Sequence, residues 1–174
     1  MANLGIINKN PLNIRYNSSI NWQGQTGQNL GFAVFKSMEY GYRAAIKNLQ
    51  SYIGSGTDTI SKIINRWAPA ADGNNPESYI KNVVNRTGIN KDKKIDKNDL
   101  NTLQALILAM SISEIGTNYP DAAASAIKMI AAEQGIPITG LSIDTIQKNK
   151  GLIPMILILG AAGLAAYFIL KPKS

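Results

Sequence analysis

Between residues 38 and 134 the apolar side chains recur three and four positions apart, the spacing of helices with one buried face. The first predicted helix runs from about Met38 to Tyr52, with Ala44, Ala45, Leu49 and Tyr52 on its apolar side, and Gly54-Ser55-Gly56 ends it. Thr57 or Asp58 is placed to cap a second helix through Ile60, Ile63, Ile64 and Trp67, which Pro69 stops. Residues 70–75 read as a loop. Pro76 opens a third helix carrying Tyr79, Ile80, Val83 and Val84, and Gly88 closes it. After a charged loop over residues 90–98, Asp99 caps a strongly apolar helix through Leu103, Leu106, Ile107 and Met110 to Ile115, with Gly116 behind it. A fifth helix spans residues 120–134, between Pro120 and Gly135. Residues 1–31 hold no such period; extended pieces around Ile14–Trp22 and Phe32–Phe35 are candidates to pair as a small β element.

The pattern changes again near the C-terminus. Gly151 to Leu170 is a run of 20 residues without a charge, the length a helix needs to cross a bilayer core. Lys148, Lys150, Lys171 and Lys173 flank it, Pro154 falls in its first turn, and Tyr167 lies near its far end. The expected organisation is a mainly α domain over residues 1–135, a linker over 136–150, a transmembrane helix over 151–170 and a basic tail over 171–174. Two lysines on each side leave the orientation open. The polar N-terminus has no signal-peptide core, so the domain is expected to stay on the side where it was made.

Composition narrows the chemistry. The 174 residues include 18 Lys+Arg and 11 Asp+Glu, a formal charge of +7, with neither histidine nor cysteine. Disulfides, cysteine nucleophiles, Cys/His zinc sites and histidine bases are excluded, so acid–base catalysis must use a carboxylate, a tyrosine or a lysine. Outside the four C-terminal lysines the balance is a mild +3, with no basic cluster interleaved with aromatics, so no specific nucleic-acid binding is expected. There is no Asp or Glu before Glu39. No phosphate-binding glycine motif occurs, and no cofactor or metal is expected. Asp92, Asp96 and Asp99 lack the glycine and terminal glutamate of an EF-hand loop and read as a solvated turn.

Among the carboxylates, Glu114 is the candidate general acid. It ends the most apolar helix of the domain, where desolvation can raise its pKa; the alternative is a solvent-facing glutamate near a helix C-terminus. Glu39 and Glu77 fall in first turns and read as structural.

The ordered set Asn8-Lys-Asn10-Pro11-Leu-Asn13-Ile14-Arg15, Trp22-Gln-Gly24 and Phe32-Ala-Val-Phe35-Lys-Ser37-Met-Glu39-Tyr40-Gly41-Tyr-Arg43-Ala44 resembles a family of bacteriophage virion or structural proteins, some described as lysozyme-like. The likeness continues through Arg66-Trp67-Ala68-Pro69 and Tyr79-Ile80 to Glu114-Ile-Gly116, covering roughly residues 5–120. Leu12 stands where that family has glycine, and Ser113 where it often has histidine. The first part is also similar to a stretch of bacterial glucosaminidases, in which it follows a catalytic helix ending in Glu-Ser-Gly. Here the helix ending in Glu114 comes downstream, so a circularly permuted lysozyme-like fold would return it to the same cleft. The resemblance thus implies a single-glutamate lytic transglycosylase or muramidase acting on peptidoglycan, with Tyr40, Tyr42 and Trp67 lining the sugar cleft. Its partners would be a lipid bilayer, peptidoglycan and capsid proteins, and its place the internal membrane of a virion, after the host cell membrane. A catalytically inactive protein linking membrane to capsid, or a cellular tail-anchored protein, are the alternatives.

Overall fold

The computed structural model describes residues 3–137. The linker beyond residue 137, the apolar run and the basic tail lie outside the described residues, and among the described residues no helix is long and apolar enough to cross a membrane. The chain divides into Met1–Leu141 and Ser142–Ser174. The first unit holds a complete core of its own, drawn from residues 12–131.

That unit is mainly helical with one small sheet. A short helix α1 (Leu4–Ile7) leads through an extended segment to a hairpin of β1 (Gln25–Asn29) and β2 (Phe32–Phe35). Then follow α2 (Met38–Gly54), α3 (Ile60–Trp67), a 3-10 turn (Ala70–Asp72), α4 (Pro76–Thr87), α5 (Leu100–Ile115) and α6 (Pro120–Gln134). Helix α5 is the axis of the packing and touches α1, α2, α4 and α6. A helix apolar nearly all round is stable only when surrounded, and Leu103, Leu106, Ile107 and Met110 are all fully buried. Around it, α2 and α6 are clamped by a two-pronged ion pair. Arg43 Nε and Nη2 donate to the two carboxylate oxygens of Glu133, each at 2.8 Å.

Most helix limits follow the expected caps. Asp99 accepts from the Thr102 amide at 3.0 Å as expected; α4 starts at the expected Pro76, and its cap is Asn75, which accepts from the Ser78 amide, also at 3.0 Å. At the start of α3 the cap is Thr59, not Thr57 or Asp58. The Asp58 carboxylate is drawn instead to Lys62 Nζ at 2.8 Å, leaving the Thr59 hydroxyl to accept from the Lys62 amide. The loop expected at residues 70–75 contains the 3-10 turn.

The sheet also differs from expectation. The partner of β2 is Gln25–Asn29, not the Ile14–Trp22 stretch, which contributes only an isolated bridge from Arg15 to Phe32. Gln, Gly and Asn are poor strand formers. Here the tight two-residue connection at Leu30-Gly31 brings them into register.

The N-terminal segment is bound to this frame by asparagines. Asn10 is fully buried; its Nδ2 donates to the carbonyls of Ile14 and Ala33, and its Oδ1 accepts from the Ile14 amide, all at 2.9 Å. Gly41 in α2 lets this segment lie directly on the helix, since a Cβ there would collide with the Lys9 carbonyl oxygen.

Tyr42 is a correction to the predicted cleft. Its ring is fully buried beside α5, its hydroxyl donating to Ser111 Oγ and accepting from the Tyr119 amide, both at 3.0 Å. It is a core residue, out of reach of any sugar. Tyr42→Phe is expected to cost about 1–3 kcal/mol, read from urea unfolding, because the Tyr119 amide loses its acceptor.

Candidate active site

Glu114 lies on the same stripe of α5 as Leu103, Ile107 and Met110, one further helical step along it. Its carboxylate therefore points toward the packed side of the helix and is only partly exposed. Gly116 ends the helix in the left-handed conformation (φ 76°), so the chain turns away just past the glutamate.

Two donors from two other parts of the chain bond the carboxylate, and the Trp67 indole lies near it. Asn13 Nδ2 donates to Oε2 at 3.1 Å, and the Tyr79 hydroxyl donates to Oε1 at 2.9 Å. The indole of Trp67, whose N–H can only donate, lies near enough to favour the ionised carboxyl, though less than Asn13 and Tyr79 do. Asn13 reaches this position because its backbone sits at φ 50°, a conformation asparagine tolerates. Glycine at position 5 leaves room for the amide, since a Cβ there would lie 2.6 Å from Asn13 Oδ1. Trp67, at the end of α3, is itself held edge-on by Tyr52, with ring centroids 6.1 Å apart. Arg66 stacks on the same Tyr52 ring, 4.0 Å from its centroid.

The electrostatics are opposed. Burial pushes the Glu114 carboxyl above its ordinary range, and the donors from Asn13, Tyr79 and Trp67 pull it down; burial prevails. The Tyr79 phenol is pushed up strongly, first by burial and then by the neighbouring Glu114 carboxylate, so it stays a neutral donor. A carboxyl that retains its proton above the usual pH, fixed by neutral donors, is suited to give that proton to a bound oxygen. Tyr79→Phe is expected to raise the Glu114 pKa further. The check is the carboxyl NMR titration of Glu114, with a downward movement as the contrary result.

Of the residues expected at the site, Glu114 and Trp67 come together. Tyr40 packs against Gly24, with Lys36 Nζ 4.1 Å from its ring centroid, and is not one of the residues that bond the carboxylate. Asn13 and Tyr79 were not among the expected site residues. Both stand in segments that carry the phage-family likeness, and that was the available signal. The aspartates of the charged loop serve locally: Asp96 accepts from the Asn98 amide and Asp99 caps α5.

Protein P5 of Pseudoalteromonas phage PM2 is 40% identical to this chain over 119 residues, covering 66% of the chain and 72% of the relative. The chain belongs to the family of that phage protein. No protein-family model matches it. Arg15, in the same segment as Asn13, approaches Asp72 of the 3-10 turn at 3.9 Å. Both side chains are exposed, so this pair is weak and screened.

Proposed function

We propose that this protein is a membrane-anchored minor virion protein of a lipid-containing bacteriophage, whose lysozyme-like domain cleaves peptidoglycan glycan strands during genome entry. The observation that carries the catalytic part is the convergence of Asn13, Trp67 and Tyr79 on the partly buried Glu114 carboxyl. The Asn13–Glu114 bond supports the permuted arrangement, because it joins the Asn-Pro-Leu-Asn-Ile-Arg segment to the helix ending in Glu-Ile-Gly. Glu114 would protonate the glycosidic oxygen as the bond breaks. A lytic transglycosylase then needs no second carboxylate nucleophile, because the sugar's own 6-hydroxyl closes onto the anomeric carbon as the Glu114 carboxylate, having given its proton to the leaving oxygen, takes the hydroxyl proton. The uncharged run over residues 151–170 supports membrane anchoring, first in the host cell membrane, and the PM2 relative supports a place in a virion.

A second reading has an observation in its favour. Both carboxylate oxygens already accept hydrogen bonds within the protein, which suits a locked structural carboxylate in a domain bridging membrane and capsid. Residues 1–141 incubated with purified peptidoglycan separate the two. Release of anhydromuropeptides or reducing ends, lost in Glu114→Gln, supports the enzyme. A folded domain that releases neither sinks it and leaves the bridging role.

A further inference from the structure

Four large hydrophobic side chains stand exposed among the described residues, and all belong to the N-terminal part of the chain: Ile7, Tyr16, Ile20 and Leu30. Leu30 is the extreme case, 79% exposed at the tip of the hairpin. It also holds a left-handed backbone conformation (φ 50°), followed by Gly31 at φ 82°. A two-residue hairpin turn with both residues at positive φ is the place for Asn-Gly, because a branched side chain is strained there. Leu30 therefore opposes the fold locally and gains no buried contact in return. Tyr16 flanks it, since the Tyr16 amide donates to the Gly31 carbonyl at 2.8 Å. Arg15 lies beside the tip, 5.8 Å from the Phe32 ring centroid, and the first 38 residues carry Lys9, Arg15 and Lys36 with no acidic residue. Of these cations Arg15 is the one at the tip, 3.9 Å from the exposed Asp72; Lys36 lies over Tyr40 at the base of the hairpin and Lys9 near Glu39.

We infer that the tip of the β1–β2 hairpin is a membrane-contact element that inserts Leu30, flanked by Tyr16, into the interface of a bilayer bearing anionic headgroups. The division of labour is that of an interfacial anchor. An aliphatic side chain enters the acyl boundary, a tyrosine sits at headgroup level, and Arg15 reaches the phosphates. Charge favours a lipid surface, because the N-terminal segment that carries the tip is net basic, and the exposed Arg15 beside the tip has only a weak, screened pairing with Asp72 to give up for an anionic headgroup. The inference is independent of Glu114 and of the apolar run, and it is tested without either.

The test uses residues 1–141, whose core is complete, with vesicles of phosphatidylglycerol and phosphatidylcholine or of phosphatidylcholine alone. The chain has no cysteine, so Leu30→Cys accepts a polarity-sensitive fluorophore at the tip alone, with Asn85→Cys on exposed α4 as the control site. The label at position 30 is expected to shift to the blue on anionic vesicles, less in 1 M salt, and the label at position 85 to stay as in water. Co-sedimentation of Leu30→Asn is expected to weaken about tenfold, the loss of one buried leucine side chain. Its melting temperature is expected to rise by about 2–4 °C as the turn relaxes. No blue shift at position 30, an equal shift on both vesicle types, or unweakened binding by Leu30→Asn overturns the inference.

Discussion

Glu114→Gln is expected to lower peptidoglycan cleavage by about 10²–10⁴-fold, the range for removing a general acid, while the domain stays folded. Glutamine has the same shape, and its carbonyl can still accept from Asn13. Its amide would donate to the Tyr79 hydroxyl oxygen, whose own proton can turn to the Met110 carbonyl, 3.4 Å away in the wild-type protein. Loss of activity would then report the lost proton and not a collapsed site. Glu77→Gln, at an exposed position in the first turn of α4, is the control that keeps its activity. Equal rates for wild type and Glu114→Gln would sink the catalytic assignment outright.

The same substitution makes a thermodynamic prediction that needs no substrate. Burial raises the Glu114 pKa in the folded domain, whereas in the unfolded chain a glutamate ionises near pH 4.3. The folded state thus binds the proton more tightly. The resulting stabilisation is fully present below about pH 4.3 and is lost as pH rises through the higher folded value. Since glutamine does not titrate, wild-type stability relative to Glu114→Gln should fall across that window. Urea unfolding at intervals from about pH 4 to 8 measures it. A difference that grows with pH would mean that the donors, not burial, govern the carboxyl.

Asn10→Ala is expected to be the most damaging single change in the N-terminal segment, at roughly 3–5 kcal/mol. The substitution strands two buried backbone groups, the Ile14 amide and the Ala33 carbonyl, each costing about 1–3 kcal/mol if neither finds another partner, while the Ile14 carbonyl keeps the Ala33 amide at 2.9 Å. Because Asn13 lies between Asn10 and Ile14, the hydrogen bond from Asn13 to Glu114 should loosen as well. Activity would then fall together with stability. Asn10→Asp separates the contributions: it retains the acceptor for the Ile14 amide but replaces the amide donor with a carboxylate oxygen facing two carbonyls. It should therefore be no better tolerated. A loss under 1 kcal/mol for Asn10→Ala would show that the segment is held mainly by Leu12 and Ile14 in the core.

The long helices were legible from local signals. Pro76, Asp99 and Pro120 at helix starts, and Gly88, Gly116 and Gly135 behind helix ends, act within a turn of themselves, and the limits of α4, α5 and α6 follow them. The apolar density of α5 also implied that it would be surrounded, and Glu114 on its buried stripe was visible as a carboxylate in an unusual place. Strand β1 was not legible, because Gln25–Asn29 has no strand-forming pattern and exists through pairing with β2. Nor was the burial of Tyr42, which the family likeness placed in the sugar cleft and whose hydroxyl is satisfied inside the core by Ser111 and the Tyr119 amide.

The surroundings of Glu114 belong to the same class. The residue sequence alone established that any acid here must be a carboxylate, tyrosine or lysine, and which carboxylate follows the most apolar helix. It could not select Asn13, 101 positions away, or Tyr79, 35 positions away, as the groups that hold it. Helical periods and caps depend on neighbours within about four residues, so they are written along the chain. The convergence of Asn13, Trp67, Tyr79 and Glu114 depends on how α3, α4 and the N-terminal segment pack against α5, and only that packing brings the polar atoms of Asn13 and Tyr79 within bonding distance of the carboxylate.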